Sequence, residues 1–555
     1  MPTPSALARS IERYGSGVAA LLVLAALAVR LPGASEYWLN PDEGIYYSSL
    51  TQASFGLFWA DVVANAHPPA YYLLLRGMGA LTWDFAWLRG LSAVFGAAAV
   101  WTFWLVGREL GGRGAAGTVA GWLAAAGLAF NGESIVLSQI MRPYMLLMTL
   151  LGAALYYLLR SRVEPSRRNI TGFVVFSCLA LLTHYSAMLA LIVFTAVVAV
   201  DGMGGATDRA GWRRRAWGHA TPSVLAAALY LWHVAALLDS ELMGNALQGG
   251  GWLTAWLIET PRDAWNSLRA FQVYHLPDGF QARTALLLLA SIGVAAWSRH
   301  RVVAVLSGSA LLVAVACSYA GVYPMSPSRH GVWLVVFTMP ALAWLVAHVL
   351  RGGRRSWWTA AAGLVVLGAA GSRGEALLGG TAAASSSGPS NATEEKVILW
   401  DDMAGLVVQR MDRESGPRII LSTEQTYHLL SPLYPSDRES PVFSADSSLF
   451  RFSYGSREIV VRRGWDWEGA DDMLTVLGSL PARLPGLRAA GEDQVLVLAG
   501  GWGSPLLEDV ANLRQQGQAV DQTWALGRDH AGQPVARLAA LVVDLEAVRA
   551  GIPDQ

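Results

Sequence analysis

The chain has 555 residues, of which 53% are hydrophobic and only 15% charged, with 23 tryptophans and a formal net charge of zero. No water-soluble globule requires that balance, so composition indicates a polytopic membrane protein. Neutrality removes the basic footprint expected of a nucleic-acid binder.

Arg9 and Arg13 precede the first apolar run, within which Val18 to Val29 is wholly aliphatic. With its flanks it can cross a bilayer core of roughly 30 Å, which takes ~20 helical residues. No small-residue cleavage site closes it and many spans follow, so it reads as a retained first helix rather than a signal peptide. Further apolar segments lie at 89–106, 115–131, 143–160, 170–183, 185–200, 220–238, 284–297, 301–320, 330–350 and 356–371. The two cysteines, Cys178 and Cys317, fall inside such runs and read as small buried hydrophobes, not as a disulfide or metal pair.

The connections alternate in charge. One set is basic: Arg108 with Arg113; Arg160, Arg162, Arg167 and Arg168; Arg209 with Arg213 to Arg215; Arg299 with Arg301; Arg351, Arg354 and Arg355. The other is rich in Glu, His, Tyr, Pro and Ser. Cytoplasmic loops carry the Lys/Arg excess, so the basic set and the N-terminus are expected inside. The stretch His67 to Trp83 is short and interrupted by Arg76. As a full span it would put all five basic loops outside, so it is read as interfacial or re-entrant. The expected topology is then about eleven spans with every motif below on the extracytoplasmic face.

After Gly371 the character changes. Residues 372–396 form an Ala/Ser/Gly/Pro-rich linker. From Val397 onward the short apolar runs VILW, RIILS, VLVLAG and LAALVV alternate with helix-compatible stretches. That pattern predicts a small α/β domain over 397–555, extracytoplasmic by parity. It carries no glycine-rich phosphate fingerprint, and GGWGS at 500–504 reads as a turn. The expected fold is thus an all-α polytopic membrane domain over 1–371, the linker, and this domain.

Five constellations gather on the expected outer face. Asn40-Pro41-Asp42-Glu43 places adjacent carboxylates just beyond the first span, among Tyr37, Trp38, Tyr46 and Tyr47. In His67-Pro68-Pro69-Ala70-Tyr71-Tyr72, the prolines let a helix begin but not extend backwards, which holds His67 at its start. Ser138-Gln139-Ile140-Met141-Arg142-Pro143-Tyr144 opens a span with an arginine that costs several kcal/mol at that depth unless paired or anion-bound. Thr183-His184-Tyr185-Ser186 is a tight turn between two apolar runs, and Tyr323-Pro324-Met325-Ser326-Pro327-Ser328-Arg329-His330 runs into a late span. The loop Asp239 to Arg283 adds Asp239, Glu241, Trp252, Trp256, Glu259, Trp265 and His275.

Singly, each has a plain alternative: a solvated acidic loop, a capping histidine, a snorkelling arginine. Together they describe carboxylates beside guanidinium forks suited to a phosphate at headgroup depth. Such a site suits moving a group from a membrane-anchored phosphate carrier to an outside acceptor. An aspartate takes the hydroxyl proton and the arginines stabilise the departing phosphate.

The Asp-Glu pair, HPPxYYLLL, Q-x-x-R-x-Y, THY and Y-P-x-x-P-S-R-H, in this order over roughly 10–371, resemble the GT-C glycosyltransferases. The nearest groups are bacterial relatives of dolichyl-phosphate-mannose protein mannosyltransferases and of lipid A aminoarabinose transferases. The resemblance implies an inverting transferase with a polyprenyl-phosphate sugar donor. Asp42 is similar to the catalytic base and Glu43 to the acid that assists it or orients the acceptor. His67, Arg142, Arg329 and His330 resemble the positions that hold carrier phosphate and sugar. Tyr71, Tyr144, His184 and Tyr185, from the same motifs, join them as binding candidates. Where many members carry an acid just before the arginine, this chain has Ile140-Met141-Arg142. The resemblance does not reach the C-terminal domain.

The partners expected are the donor, membrane lipid and an acceptor the sequence leaves unidentified, with no nucleic acid. No cofactor is expected; two adjacent acids leave a divalent metal possible beside Asp42 and Glu43, yet no third ligand is evident in the sequence. A lipid-carrier flippase would use a similar cavity, though it would more naturally show inverted repeats and mid-bilayer charges. A membrane scaffold whose outer domain binds a wall polymer is a third reading.

Overall fold

A computed structural model describes residues 6–35, 38–112, 114–203, 209–238, 257–275, 281–298, 300–326, 328–350, 417–433, 442–443, 448–454, 456–464, 467, 469–483, 493–500, 513, 519–528 and 534–551. The expected span 356–371, the linker 372–396, the VILW run and the loop residues 239–256 lie outside them.

The ten remaining expected spans are all helical. They are α1 (Ala6–Arg30), α5 (Phe85–Gly111), α6 (Ala115–Ala129), α8 (Tyr144–Val163), α9 (Arg167–Leu181), α10 (Ala187–Met203) and α11 (Arg209–Leu229), followed by Gln281–Trp297, Arg301–Tyr319 and Val332–Leu350. Among the described residues, six helices are long and apolar enough to cross a membrane: Ala8–Ala34, Phe85–Gly111, Tyr144–Val163, Arg209–Leu238, Arg301–Tyr319 and Arg329–Val349. α6, α9, α10 and Gln281–Trp297 have 15 to 17 residues. At ~1.5 Å per residue they reach ~22–26 Å, short of the hydrocarbon thickness without tilt or flanks. Between the first two spans lie α2 (Pro41–Leu50), α3 (Phe55–Ala64) and α4 (Ala70–Gly79). α4, within the stretch read as interfacial, has 10 residues and is too short to cross.

The chain divides into two compact units. One comprises Met1–Ala34, Val62–Met78 and Ala86–Ala392; the other comprises Ser35–Asp61, Gly79–Phe85 and Thr393–Gln555. The α2 segment with Asp42 and Glu43 therefore belongs to the same unit as the C-terminal sheet, a grouping the sequence pattern did not anticipate.

In the helical unit, α6 packs against α1 and against Val332–Leu350, and α8 against α9 and Val332–Leu350. α6 is built of small residues, AAGTVAGWLAAAGLA. Small faces let helix backbones approach where lipid offers no hydrophobic contrast. A Cβ on Gly121 would sit 2.7 Å from the Trp104 carbonyl oxygen, so α5 and α6 touch there backbone to backbone.

Arg30, at the end of α1, is fully buried. Its Nε donates to Ser138 Oγ (3.0 Å), Nη1 to the carbonyls of Ala26 (3.0 Å) and Ala129 (2.8 Å), and Nη2 to Leu128 (2.9 Å). Leu128 and Ala129 close α6, whose last carbonyls lack helical donors and carry the negative end of its dipole. One guanidinium thus caps α6, ties it to α1, and seats Ser138 on the segment that leads to Arg142. α7 (Gly132–Leu137), capped by Asn131, lies in that segment.

Among the described residues, the C-terminal unit holds one seven-stranded sheet in the order β2-β3-β4-β1-β5-β7-β6. The strands are β1 (Ile419–Thr423), β2 (Val442–Phe443), β3 (Leu449–Tyr454), β4 (Arg457–Arg462), β5 (Gln494–Gly500), β6 (Ala519–Arg528) and β7 (Pro534–Asp544). β1 runs parallel to both β4 and β5, while every other pairing is antiparallel. All five β1 residues are buried, the continuous pattern of a central parallel strand. Helix Ala470–Arg483 presents Met473, Leu477 and Leu480 to a core shared with Leu421, Val460, Val497 and Leu541. β3 and β4 pair antiparallel because β3 ends at Tyr454 and β4 begins at Arg457, too close for a crossover.

Arg30→Met keeps side-chain length but strips the donors from the α6 terminus. At ~1–3 kcal/mol for each buried group left unsatisfied, the helical unit should lose several kcal/mol, read as a lower thermal midpoint in detergent. An unchanged midpoint would show that Arg30 is not the clamp.

Candidate functional site

In the helical unit, six of the expected site residues come together from four segments. The His67 segment is fixed by the backbone bond from Ala70 N–H to the Leu182 carbonyl (2.9 Å), which holds the start of α4 beside the Thr183–Ser186 turn. The rings of His67 and His184 lie with centroids 5.1 Å apart, and Tyr144 with His184 at 5.5 Å. The Arg142 guanidinium stands 5.6 Å over the Tyr144 ring, and its Nη2 donates to the Tyr144 hydroxyl at 3.2 Å. Arg329 and His330 complete the group, both acting electrostatically on His67.

These imidazoles are held neutral outside the spans. Burial first, and then the Arg142 cation, push His184 down to about 3. Burial, followed by Arg142, His184, His330 and Arg329, holds His67 well below the usual range. The Ser186 N–H donates to His184 Nδ1 at 3.1 Å, which leaves the ring proton on Nε2. The result is two guanidinium charges among neutral ring donors. That field suits an anion, because every added proton on a ring is opposed by the arginines.

Hydroxyls that the sequence reading did not single out as site residues bind the segments together. Ser186 Oγ lies 2.9 Å from His184 Nδ1 and hydrogen bonds Tyr323, whose hydroxyl donates to the His330 carbonyl at 3.3 Å. Burial pushes the Tyr323 phenol upward, so it stays protonated. Ser328 caps the 3₁₀ turn Arg329–Gly331 through the His330 N–H (3.4 Å). These residues were inside the quoted motifs, but a neutral hydroxyl carries no sequence signal of its own.

Two binding candidates take other positions. Tyr71 donates to Ser92 Oγ (2.7 Å), and Ser92 donates to the Arg142 carbonyl (3.2 Å), so Tyr71 braces the arginine's backbone. The Tyr185 hydroxyl meets His233 Nδ1, and His233 Nε2 in turn meets the Val63 carbonyl at 2.6 Å. His275, from the expected outer loop, bridges the Phe271 carbonyl and Thr338 Oγ1, both at 2.9 Å.

Asp42 and Glu43 sit at the second and third positions of α2 in the other unit. Asn40 caps the helix: its Oδ1 accepts from Glu43 N–H (2.9 Å), while Glu43 Oε2 accepts from Asn40 N–H (3.2 Å). This capping box satisfies two helix-end donors reciprocally and commits Glu43 to local structure. Both acids are buried, Glu43 completely.

Because His184 is neutral when folded and titrates near 6.5 when unfolded, the unfolded chain binds more protons below that pH. Stability is therefore full above 6.5 and falls from there toward about 3, by at most ~1.4 kcal/mol per pH unit for each such imidazole. His184→Gln should flatten the fall in thermal midpoint between pH 6.5 and 4. An identical slope in the variant would show that His184 does not carry this linkage.

No protein-family model matches the sequence, and no curated protein matches it. Solved structures do. ArnT from Cupriavidus metallidurans in the apo state is similar at TM-score 0.53 and 13% identity, over 97% of this chain and 99% of that one. The same protein bound to undecaprenyl phosphate gives TM-score 0.53 and 14% identity, over 95% and 98%. The S. cerevisiae protein O-mannosyltransferase Pmt1-Pmt2 complex bound to the sugar donor covers 50% of this chain and 39% of that one, at 15% identity and TM-score 0.32, too low to carry an argument. The likeness to ArnT spans the C-terminal region as well, beyond the 10–371 over which the motifs run. The resemblance read from the motifs is thus shown at the level of fold: the chain is folded like ArnT.

Proposed function

We propose that the chain is a membrane glycosyltransferase that moves a sugar from a polyprenyl-phosphate carrier to an acceptor on the extracytoplasmic face, with inversion. The observation that carries the reading is the gathering of Arg142 and Arg329 with His67 and His184 in one cluster, the two imidazoles held neutral. A lipid phosphate brings two units of negative charge or less, which two guanidinium forks match. The fold likeness to a protein solved with undecaprenyl phosphate supports the same donor class.

In this mechanism Asp42 accepts the proton of the acceptor hydroxyl as that oxygen attacks the anomeric carbon. The bond from that carbon to the phosphate oxygen breaks, and Arg142 and Arg329 stabilise the phosphate as charge builds on it. His67 and His184, as neutral hydrogen-bonding groups, hold donor oxygens together with His330, with Tyr144 packed under Arg142. Glu43 supports the helix that carries Asp42. The charge pattern of the loops supports about eleven spans with the basic loops inside.

The test offers purified protein a panel of undecaprenyl-phosphate hexoses and pentoses and measures sugar release. Glycan mass spectrometry of cells lacking the protein identifies the acceptor. Asp42→Asn should cut turnover by ~10²–10⁴-fold while undecaprenyl phosphate still binds. Glu43→Gln keeps the capping box and should lose less. Arg142→Ala and Arg329→Ala should raise KM and lower kcat together, with lysine restoring only part, since it offers a point charge rather than a fork. Near-wild-type turnover in Asp42→Asn would remove Asp42 as the base.

A further inference from the structure

We infer that the C-terminal α/β unit positions the base: the segment 424–433, anchored on the parallel strands β1 and β5, sets where α2 holds Asp42. This rests on the reading of Asp42 as the base.

The anchoring begins in the sheet. Thr423, the last residue of β1, caps the short helix Glu424–Leu429. Thr426 Oγ1 donates to the Gly500 carbonyl (3.1 Å) and accepts from the Gly500 N–H (3.0 Å), at the end of β5. Glu424 Oε2 accepts from Gly464 N–H at 3.3 Å, just past β4. The helix is therefore fixed to the carboxyl ends of β4, β1 and β5. In open α/β sheets that edge is where ligands bind. Here the protein's own helix occupies it.

What this helix holds is α2. A Cβ on Gly44 would overlap the His428 carbonyl oxygen and come 3.0 Å from His428 Cβ, so the two backbones touch at the residue next to Glu43. Ser48, one turn on, places its hydroxyl 2.9 Å from His428 Nδ1. Ser48 Oγ also donates to the Ile45 carbonyl (3.1 Å), so toward His428 it acts as acceptor and the imidazole Nδ1–H donates. Trp38 Nε1 donates to the Leu429 carbonyl at 2.6 Å, just ahead of the Asn40 cap. Ser431 Oγ bridges the carbonyls of His428 (2.8 Å) and Gly44 (3.5 Å). Contacts before, at and after the acids leave α2 little freedom to slide or rotate. The capping box of Asn40 and Glu43 then fixes the first turn of the helix, on which Asp42 stands. A glycine inside a ten-residue helix weakens it, and its place at the contact explains its presence.

A positioning role predicts a particular kinetic signature. Gly44→Ala adds a methyl that would overlap the His428 backbone, so α2 must move away from the segment. Displacing a catalytic group by about 1 Å can cost ~10²-fold, so kcat should fall about 10- to 100-fold. Ser48→Ala removes the hydrogen bond from His428 together with the local bond to the Ile45 carbonyl, and should cost about 2- to 10-fold in kcat. In both, the Kd for undecaprenyl phosphate should stay within about two-fold of wild type, since the arginine cluster is untouched. Because both variants act through the base, each should cost nothing further on top of Asp42→Asn, whose residual turnover is read over long incubations. Wild-type kcat in both variants, losses that multiply with Asp42→Asn, or a Kd that weakens in step with kcat would each overturn the inference. If Gly44→Ala fails to fold, Ser48→Ala decides by the same criteria. Wild-type turnover in Asp42→Asn alone would instead fail the base assignment, a separate and recognisable outcome.

Discussion

A guanidinium buried in an apolar interior is expensive unless its N–H groups find acceptors, and Arg30 places four of its five on three backbone carbonyls and a serine. The consequences spread from there. The last carbonyls of α6 have donors, so α6 can be made of small residues and lie close to α1, α5 and Val332–Leu350. Ser138 is fixed, so the segment that ends in Arg142 has a defined path. Gly96 lacks a side chain where one would strike Ser138 Oγ and stand 2.9 Å from Arg30 Nε. The proposed phosphate clamp of Arg142 and Arg329 thus depends on a third arginine, Arg30, whose donors are spent on the protein itself.

The two units divide the proposed labour. The helical unit concentrates positive charge at the cluster and keeps the His67 and His184 imidazoles neutral, a state that favours an anion and resists protonation. The sheet-bearing unit carries the two acids, and their neighbours separate their roles. Glu43 is held by the Asn40 main chain, a structural duty that glutamine can also perform. Asp42 precedes it at the second helical position, outside the capping box. Adjacent carboxylates with different local duties explain how an Asp-Glu pair can contain one base rather than two.

Much of this was legible in the sequence. The aliphatic run after Arg13, the alternation of basic and basic-poor loops, and the order of the His67, Arg142, His184 and Arg329 motifs led to the helical elements and to the cluster. All ten expected spans within the described residues are helices. The capping box was also visible, as Asn40 followed three residues later by Glu43, but the acids drew a chemical reading first. The docking of α2 was not legible. Trp38 and Leu429 are 391 residues apart, and the contact depends on a glycine, a serine and backbone carbonyls, none of which has a periodic or compositional signature. Nor was the mixed sheet: apolar runs of similar length leave strand direction open, and the two-residue step between β3 and β4 decides it for that pair.

The central claim is a single displacement at the anomeric carbon, with Asp42 drawing the proton from the attacking hydroxyl. Its most direct test is the anomeric configuration of the product, read by NMR from a donor of known anomer. The account predicts inversion, because the acceptor must enter opposite the departing lipid phosphate. Retention would require a covalent sugar–enzyme intermediate or a front-face path, and would contradict it.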